Sequence, residues 1–169
     1  MPETMDVLRD ELVLLGYRAQ SAAEVLQAMA AVLYEDGAIK DSYYPAMMER
    51  EQQYPTGLPT EGIKVALPHA GVEHVNYSAL AVAVLDPPVA FCQMDDPTCE
   101  LPVEIVFMLA NADPEEQVQT LRMLVDMFDE PESLRRIRDA RTPAEVVDQM
   151  REGYLARMAE WQRGRQDGQ

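Results

Sequence analysis

The 169 residues carry 14 Lys and Arg against 30 Asp and Glu, a formal net charge of −16 at pH 7. A field of that sign excludes nucleic acid and anionic membrane surfaces as partners and steers basic proteins toward the chain. The length suits one domain that buries a core without staples. Cys92 and Cys99, with six residues between them and no C-x-x-C pair, offer neither a zinc nor a thioredoxin pattern and read as reduced thiols.

The first residues, Met1-Pro2-Glu3-Thr4-Met5-Asp6, hold neither a basic nor an apolar segment of the kind that opens a secretion signal. The longest aliphatic run, residues 79–85, is far short of the roughly 20 residues that span a bilayer. The chain therefore reads as soluble and cytoplasmic, with no direct membrane insertion.

In chain order, residues 12–15 fit either an edge strand or the start of a helix. Ser21 followed by Glu24 is a capping box and predicts a helix. A second helix is expected over 42–53. Short β-branched runs at 63–67, 79–85, 89–91 and 103–110 predict strands. The second and fourth are nearly continuous apolar runs, the pattern of strands covered on both faces. Asp113 with Glu116 and Thr142 with Glu145 cap two further helices, each with Pro at its first position (Pro114, Pro143). Val118, Leu121, Leu124, Val125 and Phe128 form an apolar stripe along the first of these, and a shorter helix is expected over 132–140. Helices before, between and after such strands imply an α/β three-layer sandwich whose mixed, mostly parallel sheet of about four or five strands is flanked by helices. The domain is expected over 6–150. Residues 151–169 would form a helical extension ending in a disordered tail from Arg163.

Only two histidines are present. His69 closes Lys64-Val65-Ala66-Leu67-Pro68-His69, directly after a strand that Pro68, lacking an N–H, should end. Ligands of such sheets bind beyond strand ends, where a neutral imidazole can act as a nucleophile. The same placement also suits an inert, half-buried histidine capping the strand. Gly57 to Lys64 approaches a phosphate loop but fails it, because Ile63 separates Gly62 from Lys64 and Val65 stands where Ser or Thr is needed. His69 and His74, five apart and without a third ligand at a recognisable interval, make a poor metal pair. No serine has the surroundings of a nucleophile elbow. The eleven methionines read as core filler.

Taken in order, Arg50-Glu51, Pro55-Thr56-Gly57-Leu58, Val65-Ala66-Leu67-Pro68-His69, Pro88-Val89-Ala90-Phe91 and Val106-Phe107-Met108-Leu109-Ala110 resemble the enzyme IIA domains of the bacterial sugar phosphotransferase system, in the fructose/mannitol class. His74-Val75, Gln93-Met94-Asp95-Asp96-Pro97 and Asp113 to Gln117 resemble the galactitol type within it. The resemblance implies a phosphotransferase that needs no cofactor or metal. It takes phosphate from the phosphocarrier protein HPr onto His69, through Nε2 with Nδ1–H held by a backbone carbonyl, and passes it to a cysteine of a IIB component on a separate chain.

Arg50 matches an active-site arginine of such domains whose rigid fork suits phosphate oxygens, although a surface ion pair with Glu49 or Glu51 is an equal alternative. Thr56 is a candidate hydroxyl donor, and the N–H groups of Ala70 and Gly71 a candidate anion concavity. Fructose and mannitol relatives carry a second histidine where this chain has Gln117. His74 is then a candidate for the supporting role, against the alternative that it merely caps its loop. Some homologues of this type are regulators, in which phosphorylation of the histidine controls binding to another protein.

Overall fold

The computed structural model describes residues 7–167; the expected domain start at Asp6 and the last two residues lie outside them. Chain order is β1 (Val13–Tyr17), α1 (Ala22–Asp36), α2 (Tyr43–Gln53), β2 (Gly57–Leu58), β3 (Lys64–Ala66), β4 (Ala79–Cys92), β5 (Glu100–Ala110), α3 (Pro114–Phe128), α4 (Pro131–Arg138) and α5 (Pro143–Asp167). The segment over 12–15 resolves as strand β1. All three expected acceptors cap their helices, but Asp113 does so through Glu115 rather than the expected Glu116, because its carboxylate takes the N–H two residues on. The N–H of Glu24 donates to Ser21 Oγ, that of Glu145 to Thr142 Oγ1, and that of Glu115 to Asp113 Oδ1. The capping glutamates reach back to Gln20 and Arg141, one residue before the cap.

The five strands lie in the order β1-β4-β5-β3-β2. The sheet is mixed, as expected, and its balance is even: β1 runs parallel to β4 and β3 to β5, while β4 pairs antiparallel with β5 and β2 with β3. The expected parallel excess is missing because β4 and β5 are joined by only the residues 93–99, too few for the crossover that parallel neighbours require. The two strand signals at 79–85 and 89–91 are one strand, since the chain passes Asp86-Pro87-Pro88 without turning and rejoins β5 after a register shift between Val84 and Val89.

Alternation along the central strands separates two cores. Ala79, Ala81, Ala83 and Leu85 of β4 and Val106, Met108 and Ala110 of β5 face α1 and α2. Leu80, Val82 and Val84, with Ile105, Phe107 and Leu109, face α3, α4 and α5. A strand segment buried on both faces has no polar alternate, which is why residues 79–85 of β4 and 105–110 of β5 are unbroken apolar runs. The α3 stripe is rotated from expectation: Leu124 and Phe128 are buried with Met123 and Met127, while Val118 and Val125 are exposed.

Helix α5 continues past Met150 to Asp167, so residues 163–167, expected to be disordered, are helical. Only Gly153 and Gly164 weaken the propensity of that stretch. Gly153 lets α5 approach α3 closely, since a Cβ there would meet Met127 Sδ at 2.8 Å. One turn on, Arg157 is paired with Glu130 at 2.6 Å. Among the described residues no helix is long and apolar enough to cross a membrane.

Candidate functional site

The site grows from the end of β3. Past Ala66, the Leu67 N–H is held by both the carbonyl (3.3 Å) and the Oγ1 (3.1 Å) of Thr56. The ladder with β5 is interrupted only at Leu67 and Pro68, because the Pro68 carbonyl still accepts the Leu109 N–H at 3.1 Å and His69 bridges to Leu109 on β5. Beneath that bridge the fully buried Tyr43 of α2 donates its hydroxyl to the Leu109 carbonyl at 2.5 Å. Burial pushes the phenol pKa up, so the hydroxyl stays a donor. His69 is thus carried on a backbone fixed from two sides.

The His69 ring is half-buried, and its Nδ1 lies 2.7 Å from the Leu67 carbonyl. A carbonyl only accepts, so Nδ1 bears the proton and Nε2 of the neutral ring carries the lone pair. Burial lowers the His69 pKa, the Leu67 carbonyl opposes that, and the positive charge of Arg50 lowers it further. The imidazole is therefore neutral at pH 7 and nucleophilic through Nε2, with no proton to be removed before attack.

Arg50 is exposed in the last turn of α2, and its charge acts on both His69 and Glu51. Among the described residues no carboxylate lies within ion-pair distance of it. Glu51 is occupied instead by Thr56, whose N–H donates to Oε1 at 3.0 Å and whose hydroxyl lies 2.9 and 3.1 Å from the two carboxylate oxygens. Thr56 is buried, and its one hydroxyl proton is committed to Glu51 while its oxygen takes the Leu67 N–H. It is built to hold the strand end rather than to offer a free donor to an incoming anion. The expected concavity at Ala70 and Gly71 is faced by an acid, since a side chain added at Gly71 would collide with the Glu73 carboxylate.

Gln117, in the first turn of α3, donates from its side-chain amide to the Ala70 carbonyl at 3.1 Å and ties the loop after His69 to that helix. His74 lies elsewhere. Its Nδ1 meets Ser42 Oγ at 2.8 Å at the start of α2, and its Nε2 lies 3.4 Å from Glu73. Ser42 precedes Arg50 by eight residues, about 12 Å along a helix axis. The fold thus gathers His69, Arg50, Thr56 and Gln117 and leaves His74 at the opposite end of α2.

Residues 6–153 match the family described as the phosphoenolpyruvate-dependent sugar phosphotransferase system, EIIA 2. The chain belongs to this family. The galactitol-specific EIIA component of Escherichia coli (strain K12) is 29% identical over 110 residues, covering 65% of this chain and 73% of that protein. Among solved structures, a Streptococcus mutans protein assigned as a PTS IIA, PtxA, superposes with a TM-score of 0.73 at 25% identity, covering 90% of this chain and 95% of that one. Enzyme IIA for mannitol from Escherichia coli, solved with phosphorylated enzyme IIB, shares the fold with a TM-score of 0.71 at 21% identity, covering 86% and 97% of the two chains. The family places this EIIA chain among the components of a phosphotransferase system.

Two residues of the site carry roles that sequence reasoning left unassigned. Tyr43 reads as an ordinary helix residue until the fold sets it under Leu109. Glu51 entered only beside Arg50, in the Arg50-Glu51 motif of the resemblance and as an ion-pair alternative. Its spacing of five from Thr56 becomes meaningful once α2 is known to end at Gln53, which folds the two residues onto each other.

Proposed function

We propose that this EIIA protein accepts a phosphoryl group on His69 Nε2 from the phosphohistidine of HPr and passes it to a cysteine thiolate of a IIB component on a separate chain. The sugar served is of the galactitol type, and the protein works in the cytoplasm. The carrying observation is the bond from His69 Nδ1–H to the Leu67 carbonyl, which leaves Nε2 as the free nucleophile. In the first step the P–N bond to the donor imidazole breaks as the P–Nε2 bond forms. In the second, P–Nε2 breaks as the P–S bond forms and His69 returns to its neutral state. Such a loose transition state asks mainly for alignment and for positive charge near the equatorial oxygens, and Arg50 is the exposed cation beside His69.

The galactitol-specific relative supports the sugar type, and the solved mannitol pair of IIA with phosphorylated IIB supports a partner on its own chain. Exposed Tyr54 and Val118, each next in sequence to a site element, supply apolar docking surface. The net charge of −16 favours a basic partner face.

Incubation with enzyme I, HPr and labelled phosphoenolpyruvate should place one acid-labile, base-stable phosphate on His69. Label that persists in His69→Ala, or acid-stable label on a hydroxyl residue, overturns the mechanism. Association with HPr should slow between low salt and about 0.5 M, where exposed charges are screened.

A further inference from the structure

A continuous line of hydrogen bonds runs from a largely buried carboxylate to the reactive ring. Glu51 accepts from the N–H and the hydroxyl of Thr56. The Thr56 oxygens, carbonyl and Oγ1, hold the Leu67 N–H, and the carbonyl of the same residue accepts from His69 Nδ1–H at 2.7 Å. Every group in this line has one available direction. The carboxylate accepts both Thr56 donors, so the threonine hydroxyl turns its proton to Glu51 and its lone pair to Leu67. With its N–H clamped, the Leu67 residue presents its carbonyl to the ring.

We propose that Glu51 and Thr56 are positioning residues for phosphoryl transfer: the Glu51 carboxylate orients the Thr56 hydroxyl, which fixes Leu67 so that its carbonyl selects the Nδ1–H tautomer of His69. The inference rests on His69 being the phosphoryl acceptor, because only then does a lone pair held on Nε2 matter. Neither residue touches the phosphoryl group.

The physical need is specific. An isolated neutral imidazole exchanges its proton between the two nitrogens, and the tautomer with the proton on Nε2 cannot attack phosphorus there. The short contact from Nδ1 to a carbonyl resolves this only if that carbonyl stays in place, and it belongs to a residue just beyond the three-residue strand β3, immediately before a proline. Pro68 donates no hydrogen bond, so the segment that must be most rigid has lost one backbone tether. Thr56 supplies the replacement from the neighbouring turn. The Glu51 carboxylate is costly to bury, and burial raises its pKa against the opposing pull of the Thr56 donors and Arg50. Thr56 occupies that carboxylate with two donors and connects it to the catalytic ring.

The test reads the tautomer directly, from the ring-nitrogen chemical shifts of histidine-labelled, unphosphorylated protein. Wild type should show a protonated Nδ1 and an unprotonated Nε2. A protonated Nε2 in wild type overturns the proposal without any variant. Thr56→Val keeps the shape and removes the hydroxyl; Glu51→Met keeps the length and removes the acceptor. Both should populate the Nε2–H tautomer and slow phosphoryl transfer by roughly tenfold to a hundredfold, the scale of a misplaced reacting group.

Thr56→Ser and Glu51→Gln, which each keep an acceptor or donor of the same kind, should retain the wild-type tautomer and stay within about threefold in rate. Folded Thr56→Val and Glu51→Met proteins with the wild-type tautomer would reduce both residues to structural roles and overturn the proposal. If Thr56→Val unfolds, Glu51→Met carries the same test. Absence of label on His69 would instead reject the phosphoryl-acceptor reading while leaving the tautomer result standing, so the two failures are distinguishable.

Discussion

Gly57→Ala tests how rigidly the strand beside the site is held. A Cβ at this position would lie 2.5 Å from the Cys92 carbonyl oxygen, 3.2 Å from its carbon and 3.6 Å from Leu101 Cδ1. Ordinary contact between non-bonded heavy atoms begins near 3.5 Å, so the backbone of β2 or β4 must shift by about 1 Å. Neither is loose. Gly57 pairs with Ala66 of β3, bridges to Gln93, and accepts the Met94 N–H at 2.8 Å. Overpacking of this kind costs about 1–3 kcal/mol, and loss of the Met94 bond adds about 1 kcal/mol, so the variant should be less stable by about 2–4 kcal/mol.

Thr56 precedes Gly57 and carries the Leu67 tether, so the same shift should slow transfer from HPr. Urea unfolding with unchanged slope measures the first effect, and a rapid-quench transfer assay the second. Gly16→Ala is the control. Gly16 has φ 62° with no neighbouring atom within 4 Å, so alanine there costs only the strain of a left-handed backbone, about 1 kcal/mol, and leaves transfer unchanged. A Gly57→Ala protein within about 0.5 kcal/mol of wild type and equal in rate would show that β2 yields freely, and would refute the reasoning.

His74→Gln should leave transfer in both directions within about twofold, because His74 is engaged by Ser42 and Glu73 at the far end of α2; a loss of tenfold or more would return it to the site. The folded His69 pKa lies below 6.5, so the unfolded chain takes up that proton first as pH falls. Stability should therefore drop from 6.5 down to the folded pKa, and His69→Gln should flatten the drop in urea titrations. Glu51 has the opposite sign. Its folded pKa lies above 4.5, so its contribution is fully present below 4.5 and is lost as pH rises through the folded value, a slope that Glu51→Gln should remove. Leu124→Ala, at a fully buried position of α3, should cost about 2–5 kcal/mol in urea unfolding without moving the His69 tautomer.

Local chemistry was legible where it depends on near neighbours. The three capped helices follow from an acceptor and a glutamate within one turn, with a proline between them in the second and third, and the structure closes a backbone hydrogen bond to the acceptor at each cap. The two-sided burial of residues 79–85 of β4 and 105–110 of β5 follows from runs without a polar alternate. His69 could be placed past a strand end because Pro68 marks that end, although only the structure revealed that the Pro68 carbonyl lets the β3–β5 pairing resume at His69. The rotation of α3 was not legible, since Val118 and Val125 have the right spacing for a buried stripe, and which face is covered depends on where α4 and α5 arrive.

The sequence by itself determined that this chain is acidic, that its sheet is covered on both faces, and that a histidine stands at a strand end with an arginine, a threonine and a glutamine spaced around it. The acidity, the covered sheet and the strand-end histidine are properties of composition and short-range periodicity, whereas the arginine, threonine and glutamine were singled out by the ordered motifs of the family resemblance. Tertiary structure alone decided which of them meet. Thr56 became a tether because the turn after α2 lies against β3, Gln117 became a clamp because α3 starts beside Ala70, and His74 was drawn to Ser42 although it is only five residues from His69. The reason is physical: a hydrogen bond depends on distance and direction in space. Both are set by how β3 pairs with β5 and how α2 packs over them, and separation along the chain carries neither.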